Sequence, residues 1–262
     1  MQGSGESVRS VAMIPNMHSD PDILRVGHLL ADAARAAILP HFRQADLIAD
    51  NKFQSGYDPV TEADRAAERA MRDILARERP NDAILGEEYG TAEGTSGLTW
   101  VLDPIDGTRG FVSGTPTWGV LIAVSNADGP FFGIIDQPYI RERFVGHSGQ
   151  AEVSGPSGVH PLRTRGARAL SQATVFTTFP EVGTTSEGAA FAEVARHARL
   201  ARFGMDCYAY ALVASGQVDL VIEGLKKGHV HELYLPGIRT SDGESVLHPV
   251  AYYTLNQIPP WK

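Results

Sequence analysis

The sequence predicts a layered mixed fold, α+β in its first part and alternating α/β in its last. Three observations predict it. Two amphipathic helical patterns stand near the start, a series of apolar strand-like segments follows, and the final third alternates strand and helix signals. No internal repeat or heptad run interrupts this order.

Each element has its own signal. Ile23, Val26, Leu30, Ala33, Ala34, Ala37 and Ile38 recur at helical spacing. They predict a helix over 21–42, with Asp20 as N-cap and Pro21 in the first turn. Residues 52–59 read as a loop. Thr61 then opens a second helix, with Asp64 completing a capping box and Val60 placed as a hydrophobic staple. Ala67, Ala70, Met71, Ile74 and Leu75 supply its apolar stripe, and Pro80 ends it. Strand signals follow at 83–85, 99–102, 118–125, 131–135 and 143–145. The turn Asn126-Ala127-Asp128-Gly129 joins the third and fourth of these as a hairpin. Gly and Pro crowd residues 147–161, a boundary or a hairpin. A strand near 173–177, a helix over 189–198, a strand at 200–203, a helix over 206–215 and a strand over 218–222 complete the pattern. The chain divides into a flexible extension (1–19), an α+β unit (20–160), an α/β unit (161–223) and a tail (224–262).

Composition narrows the class. The 262 residues are 43% hydrophobic and 21% charged, ordinary for a globular chain. A net charge of −8 argues against a nucleic-acid partner. The single cysteine, Cys207, excludes an intrachain disulfide and suits a reducing cytoplasm. No apolar run reaches transmembrane length, and the first residues lack the apolar core of a signal peptide.

The chemistry concentrates at 100–114, WVLDPIDGTRGFVSG. Asp103 and Asp106 stand behind the apolar run Trp100-Val101-Leu102. Asp103 is expected at the carboxyl end of a strand, with Pro104 turning the chain and Gly107 letting the backbone approach a ligand. Gly86-Glu87-Glu88 offers a second acidic cluster. Such hard oxygen donors suit Mg²⁺ or Mn²⁺ better than zinc. Alone, Asp-Pro is a turn starter and Gly-Glu-Glu a solvated surface; together they point to a cation site.

LDPIDGTRGF with the upstream LGEEYG resembles the Mg²⁺-dependent inositol monophosphatase family of phosphate monoesterases. Arg109 and the segments KFQSGYDPVTEADRAAE (52–68) and RFGMDCYAYALVASGQVDLVIE (202–223) are similar to its histidinol-phosphatase branch. The resemblance implies an αβαβα sandwich and a cytoplasmic hydrolase of a small phosphorylated metabolite. Histidinol phosphate, in histidine biosynthesis, is the first such substrate and an inositol phosphate the alternative. It implies two or three Mg²⁺ ions, with Mn²⁺ as a substitute. Asp103 would bridge two ions, Glu87 and Asp106 would hold one each, and the Ile105 carbonyl would be a further ligand. Thr108 and Glu87 would orient the attacking water, with Asp64 close to that threonine and Lys52 close to the metals. The backbone N–H groups of Gly107 and Thr108 would meet the phosphate. Read without the family, Thr108 and Asp64 are helix caps and Lys52 is a surface lysine.

The organic end of histidinol phosphate is cationic and calls for carboxylates. Asp206, next to Gly204, and Glu223 are the expected contacts; Asp206 also reads as a helix N-cap. Arg109 either touches substrate or pairs with a surface acid. His229-Val230-His231 is the one histidine pair at metal-type spacing, and reads as loop or strand rather than zinc site.

After Glu223 the family pattern fails. The family has Ala-Gly-Leu-Lys-Pro-Tyr-Asp there, then a helix. This chain reads GLKKGHVHELYLPG, one residue short, with His229 where the last metal aspartate belongs. A shifted reading frame or cloning junction, His229 as a replacement ligand, and another acid such as Glu232 are the three open readings. A histidine ligand would move preference from Mg²⁺ toward Mn²⁺, Co²⁺ or Zn²⁺. The non-enzyme alternative is an impaired, metal-binding member of the fold. A homodimer is a frequent assembly in the family, and no segment identifies its interface.

Overall fold

The structure, a computed structural model, describes residues 21–44, 49–51, 59–147, 149–180, 184–223, 231–234 and 250–253. Asp20, Lys52 and His229, and the side chains of Val60 and Glu232, lie outside the described set.

Helix α1 (Pro21–Ile38) buries Ile23, Val26, Leu30, Ala34 and Ile38, as its periodicity predicts. It ends four residues earlier than expected. Pro40 lacks an N–H and its ring clashes with the preceding turn, so the helix stops before it. A turn carries the chain on to Phe42, whose ring lies 5.3 Å from Phe111 and 5.2 Å from Trp118. The short strand β1 (Ala49–Asn51) pairs antiparallel with β2 (Pro59–Thr61), so Pro59 begins a strand rather than closing a loop. Helix α2 (Glu62–Glu78) starts at the expected capping box on Thr61 and Asp64 and is capped by Arg79, just before Pro80.

One large sheet follows: β3 (Ala83–Gly86), β4 (Gly90–Ala92), β5 (Thr99–Asp106), β6 (Gly119–Asn126), β7 (Gly129–Gln137), β8 (Glu142–His147), β9 (Gln150–Gly155) and β10 (Gly158–Pro161). Their order is β10-β9-β8-β7-β6-β5-β3-β4. The β6–β7 hairpin turns through Asn126–Gly129 as expected. The Gly/Pro-rich stretch after β8 is also a hairpin, β9 with β10. Every neighbouring pair is antiparallel except β3 and β5. Their carboxyl ends therefore lie side by side, with Gly86 beside Leu102.

Strand β5 does not end at Asp103 as expected. It continues to Asp106, and Pro104 and Ile105 are buried within it. Asp103 faces Leu121 of β6, yet Asp106 faces Gly119, so three steps on β5 match two on β6. That is a β-bulge with one extra residue. Strand side chains alternate faces, so residues three apart normally point opposite ways. The bulge restores Asp106 to the face of Asp103. Trp100, Leu102 and Ile105 all pack into the core with α1 and α2. The opposite face of the sheet packs Leu121, Ile135 and Phe144 against Cys207 and Ala211.

A 3-10 turn (Leu170–Gln172) leads into β11 (Thr174–Thr177), α4 (Thr185–His197), β12 (Leu200–Phe203), α5 (Asp206–Ala214) and β13 (Leu220–Val221). Helix α4 begins earlier than expected because Thr184 and Glu187 form a second capping box. The strands make a parallel sheet of order β12-β11-β13. The two crossovers run in opposite directions, so right-handed connections put α4 and α5 on opposite faces. Helix α5 packs on β7 as well as on β11 and β13. The layers are thus α1/α2, large sheet, α5, small sheet, α4: the expected αβαβα sandwich. Two further strands, β14 (His231–Tyr234) and β15 (Val250–Tyr253), pair antiparallel. Among the described residues no helix is long and apolar enough to cross a membrane.

Candidate active site

Acidic residues from three elements meet at the paired carboxyl ends of β3 and β5. Glu87 and Glu88 follow β3, Asp103 and Asp106 belong to β5, and Asp64 stands in the first turn of α2, which packs on β5. Asp64, Asp103 and Asp106 are buried; Glu87 is exposed.

A carboxylate that sequence reasoning missed holds the Glu87 turn. Glu68, fully buried in α2, accepts the backbone N–H of Glu88 (2.7 Å) and of Tyr89 (3.2 Å), and pairs with Arg72 (2.8 Å). Gly86 leaves room for it: a Cβ there would lie 1.9 Å from Glu68 Oε1. The Glu87 N–H bonds to the Leu102 carbonyl at 3.2 Å. The available signal was that Asp64, Glu68, Met71 and Leu75 share one helix face, which places charged residues on a buried stripe.

Asp64 accepts the Thr61 N–H (2.8 Å) and hydroxyl (2.6 Å) on its Oδ2. Burial, against the pull of those two bonds and with a smaller push from Glu88 and Glu87, raises its carboxyl to about 7. Burial also raises the Cys207 thiol, aided by Asp106, Asp206 and Asp103. These shifts describe one region of concentrated negative charge. Its donors are hard oxygens, the type that holds Mg²⁺. Among the described residues no three His, Cys, Asp or Glu side chains already close into a ready-made cage. The fit to a divalent cation is therefore one of donor type and placement.

The turn after β5 is built around Gly107, at φ 87. Gly107 caps α3 (Thr108–Ser113) and Thr108 is its first residue, so Thr108 is not itself the N-cap. The Thr108 hydroxyl donates to the Ile105 carbonyl (3.0 Å). Asp106 Oδ2 accepts the Cys207 N–H at 2.6 Å, which ties β5 to the start of α5. Met205 caps α5 and Asp206 is the first helical residue, so Asp206 is not the cap either. It is buried, holds a left-handed φ of 45, and packs so close over Gly107 that a Cβ there would come within 2.8 Å of it. Gly204, also left-handed at φ 74, makes the preceding turn.

Glu223, just past β13, is half-buried. It accepts the Thr178 N–H (2.8 Å), the Thr178 hydroxyl (2.9 Å) and the Thr177 hydroxyl (3.3 Å). Burial raises its carboxyl, these bonds lower it, and Asp206 adds a small upward push. Arg109, exposed on α3, stacks on Phe179 with its guanidinium carbon 4.6 Å from the ring centroid. The structure thus gathers Asp64, Glu87, Asp103, Ile105, Asp106, Gly107, Thr108, Asp206 and Glu223 about one end of the sandwich.

Solved structures share this architecture. An inositol monophosphatase from Zymomonas mobilis aligns with a TM-score of 0.68 and 40% identity, covering 79% of this chain and 78% of that one. The family model for the inositol monophosphatase family matches residues 22–230, and the chain belongs to that family. A chloroplastic bifunctional phosphatase of Arabidopsis thaliana is 42% identical over 219 residues, 81% of this chain. This chain spans only 61% of that relative's length. A histidinol-phosphatase of Streptomyces coelicolor is 38% identical over 210 residues, 77% of each chain.

Proposed function

We propose that this protein is a divalent-metal-dependent phosphate monoesterase that converts L-histidinol phosphate and water to L-histidinol and phosphate. The observation that carries the substrate assignment is Asp206, a buried acid packed directly over the Gly107 turn. A cationic organic end suits such a neighbour; a neutral polyol gains much less from it. Histidinol-phosphatases among the relatives support the same reading.

Glu87, Asp103, Asp106 and the Ile105 carbonyl would hold Mg²⁺, with Mn²⁺ as a substitute. His229 or Glu232 stands for the last ligand. The Ile105 carbonyl has two lone pairs, so it can serve the Thr108 hydroxyl and a cation together. When bound, such ions neutralise the phosphoryl oxygens and make a bound water more acidic. The chain's own residues do the rest. The N–H groups of Gly107 and Thr108, at the α3 N-terminus, are donors for phosphoryl oxygens. Asp64, titrating near neutrality, can take a proton from a water held between it and Glu87. Thr108 joins that arrangement when its hydroxyl turns from Ile105. Asp206 and Glu223 hold the cationic end and fix its orientation.

Phosphate release from L-histidinol phosphate, beside inositol 1-phosphate, with Mg²⁺ and then Mn²⁺, tests the reading. Selective turnover of histidinol phosphate supports it; faster turnover of inositol 1-phosphate replaces it with the inositol reading. If neither reacts, rescue by His229→Asp would locate the fault at the last ligand. Asp103→Asn abolishes turnover on this mechanism. Asp206→Ala costs histidinol phosphate more than a small neutral ester.

A further inference from the structure

A cavity of about 200 Å³ lies between α4 and the carboxyl ends of β11 and β13. That volume is below the ~300–1,000 Å³ of a whole small-molecule site and is the size of a subsite for one part of a ligand. Its walls include Phe179, Phe191, Val194 and Ile222, and its acids are Glu187 and Glu223. Neither lysine nor arginine is among the described lining residues.

One contact and one electrostatic neighbour join this cavity to the catalytic turn. Arg109, the residue after Thr108, stacks on Phe179, so one aromatic ring belongs to both places. Glu223 is held toward β11 by Thr177 and Thr178, which fixes an acceptor at the cavity's edge. Glu223 is also close enough to Asp206 to feel its charge. Acidic positions therefore run from the Gly107 turn, through Asp206, to Glu223 and into the cavity. Phe191 is itself steadied by an edge-on contact with Phe203, centroids 5.9 Å apart.

We infer that this cavity receives the cationic heteroaromatic ring of the substrate, between Phe179 and Phe191, with Glu223 accepting a ring N–H. Aromatic faces attract a cation, and a flat ring fills the space between two others. An imidazolium needs one or two acceptors for its N–H groups, which the acids supply. A polyol would bring hydroxyls against apolar walls that cannot bond them. The cavity thus selects the organic half of the ester while the β5 turn handles the phosphate.

The inference rests on the function proposed above, and one experiment separates the two. Phe191→Ala and Phe191→Leu are compared with the parent on L-histidinol phosphate and on glycerol 2-phosphate. Binding of phosphate-free L-histidinol is followed by calorimetry. Phe191 sits on a helix with no fully buried residue, so truncation leaves the core alone. Phe191→Ala is expected to raise KM for histidinol phosphate about tenfold and weaken histidinol binding equally, or ~1.4 kcal/mol. Glycerol 2-phosphate turnover stays unchanged, and the leucine variant falls between. If the parent turns over histidinol phosphate and Phe191→Ala keeps its KM and histidinol affinity, the cavity assignment is overturned and the function stands. Equal losses on both esters also overturn it. If the parent rejects histidinol phosphate yet cleaves glycerol 2-phosphate, the substrate reading falls. An imidazole titration unaffected by Phe191→Ala would then remove the cavity as well.

Discussion

The turn bearing Glu87 hangs from Glu68, and removing that carboxylate is the sharpest test of how the site is built. Glu68→Ala deletes a fully buried acid that serves Arg72 and the Glu88 and Tyr89 amides. Losing one partner of a buried ion pair costs ~3–5 kcal/mol. Arg72 keeps 19% of its side-chain exposure, so water recovers part of its hydration and the lower end applies. About 3 kcal/mol corresponds to a fall in Tm of ~6–12 °C for a chain of this size. Glu68→Gln keeps the shape but gives up the charge assistance, and should lose about half as much. Urea unfolding by circular dichroism reads the stability. Mg²⁺ titration of phosphate release reads the placement of Glu87, and the Mg²⁺ requirement should rise in both variants. A Glu68→Ala protein with the parent's urea midpoint would refute the reasoning, because the two amides would then bond water as well as they bond Glu68.

Three further outcomes follow from the same structure. Asp64 titrates near 7 when folded against an ordinary 3.8, so the folded state holds an extra proton between those values. The stability it contributes is complete below pH ~4 and is lost as pH rises through ~7. Asp64→Asn should therefore flatten the decline of Tm from pH 4.5 to 7.5 in metal-free buffer, and parallel curves for both proteins would overturn this. Gly107→Ala must accept a φ of 87 and a Cβ 2.8 Å from Asp206. It should lower kcat at least tenfold by shifting Asp206 and the α3 amides, a claim that normal kcat would defeat. Asp136 is fully buried and bonds Arg35 (2.7 Å) and Arg143 (2.6 Å). Asp136→Asn leaves both cations under-compensated; a destabilisation of ~3 kcal/mol, read by urea melts, is expected without any change in Mg²⁺ requirement.

Local rules made much of this fold legible before any coordinates. Thr61-x-x-Asp64 marked the start of α2, and Asn126–Gly129 marked a hairpin, because each signal is a bond between near neighbours. The acidic motif at 103–106 was legible as composition but not as shape. Pro104 suggested a turn, whereas β5 tolerates it at the irregularity between Asp103 and Asp106. Strand β4 is three residues long and lies at the sheet edge, so neither an apolar run nor a full alternation announces it. Glu68 and Phe179 were missed for another reason. Their roles depend on residues twenty or more positions away, brought near only by the packing of α2 on β5 and of α3 by β11. The placement of Asp206 over Gly107 likewise joins two units that the sequence kept apart.

The bulge in β5 makes the placement of the two aspartates a matter of counting. Because three residue steps are fitted against two, the carboxylates at 103 and 106 share a side only because one residue between them stands outside the ladder. Deleting Pro104 alone would remove the extra residue and leave the two acids two apart on a regular strand, still on one side but without the bend and added twist of the bulge. Deleting Pro104 and Ile105 together would make the acids direct neighbours, pointing apart. Arginine, glycine or threonine in the following helix can be exchanged one at a time with graded effects. The length of the segment before it has no such gradation: the extra residue is either present or absent.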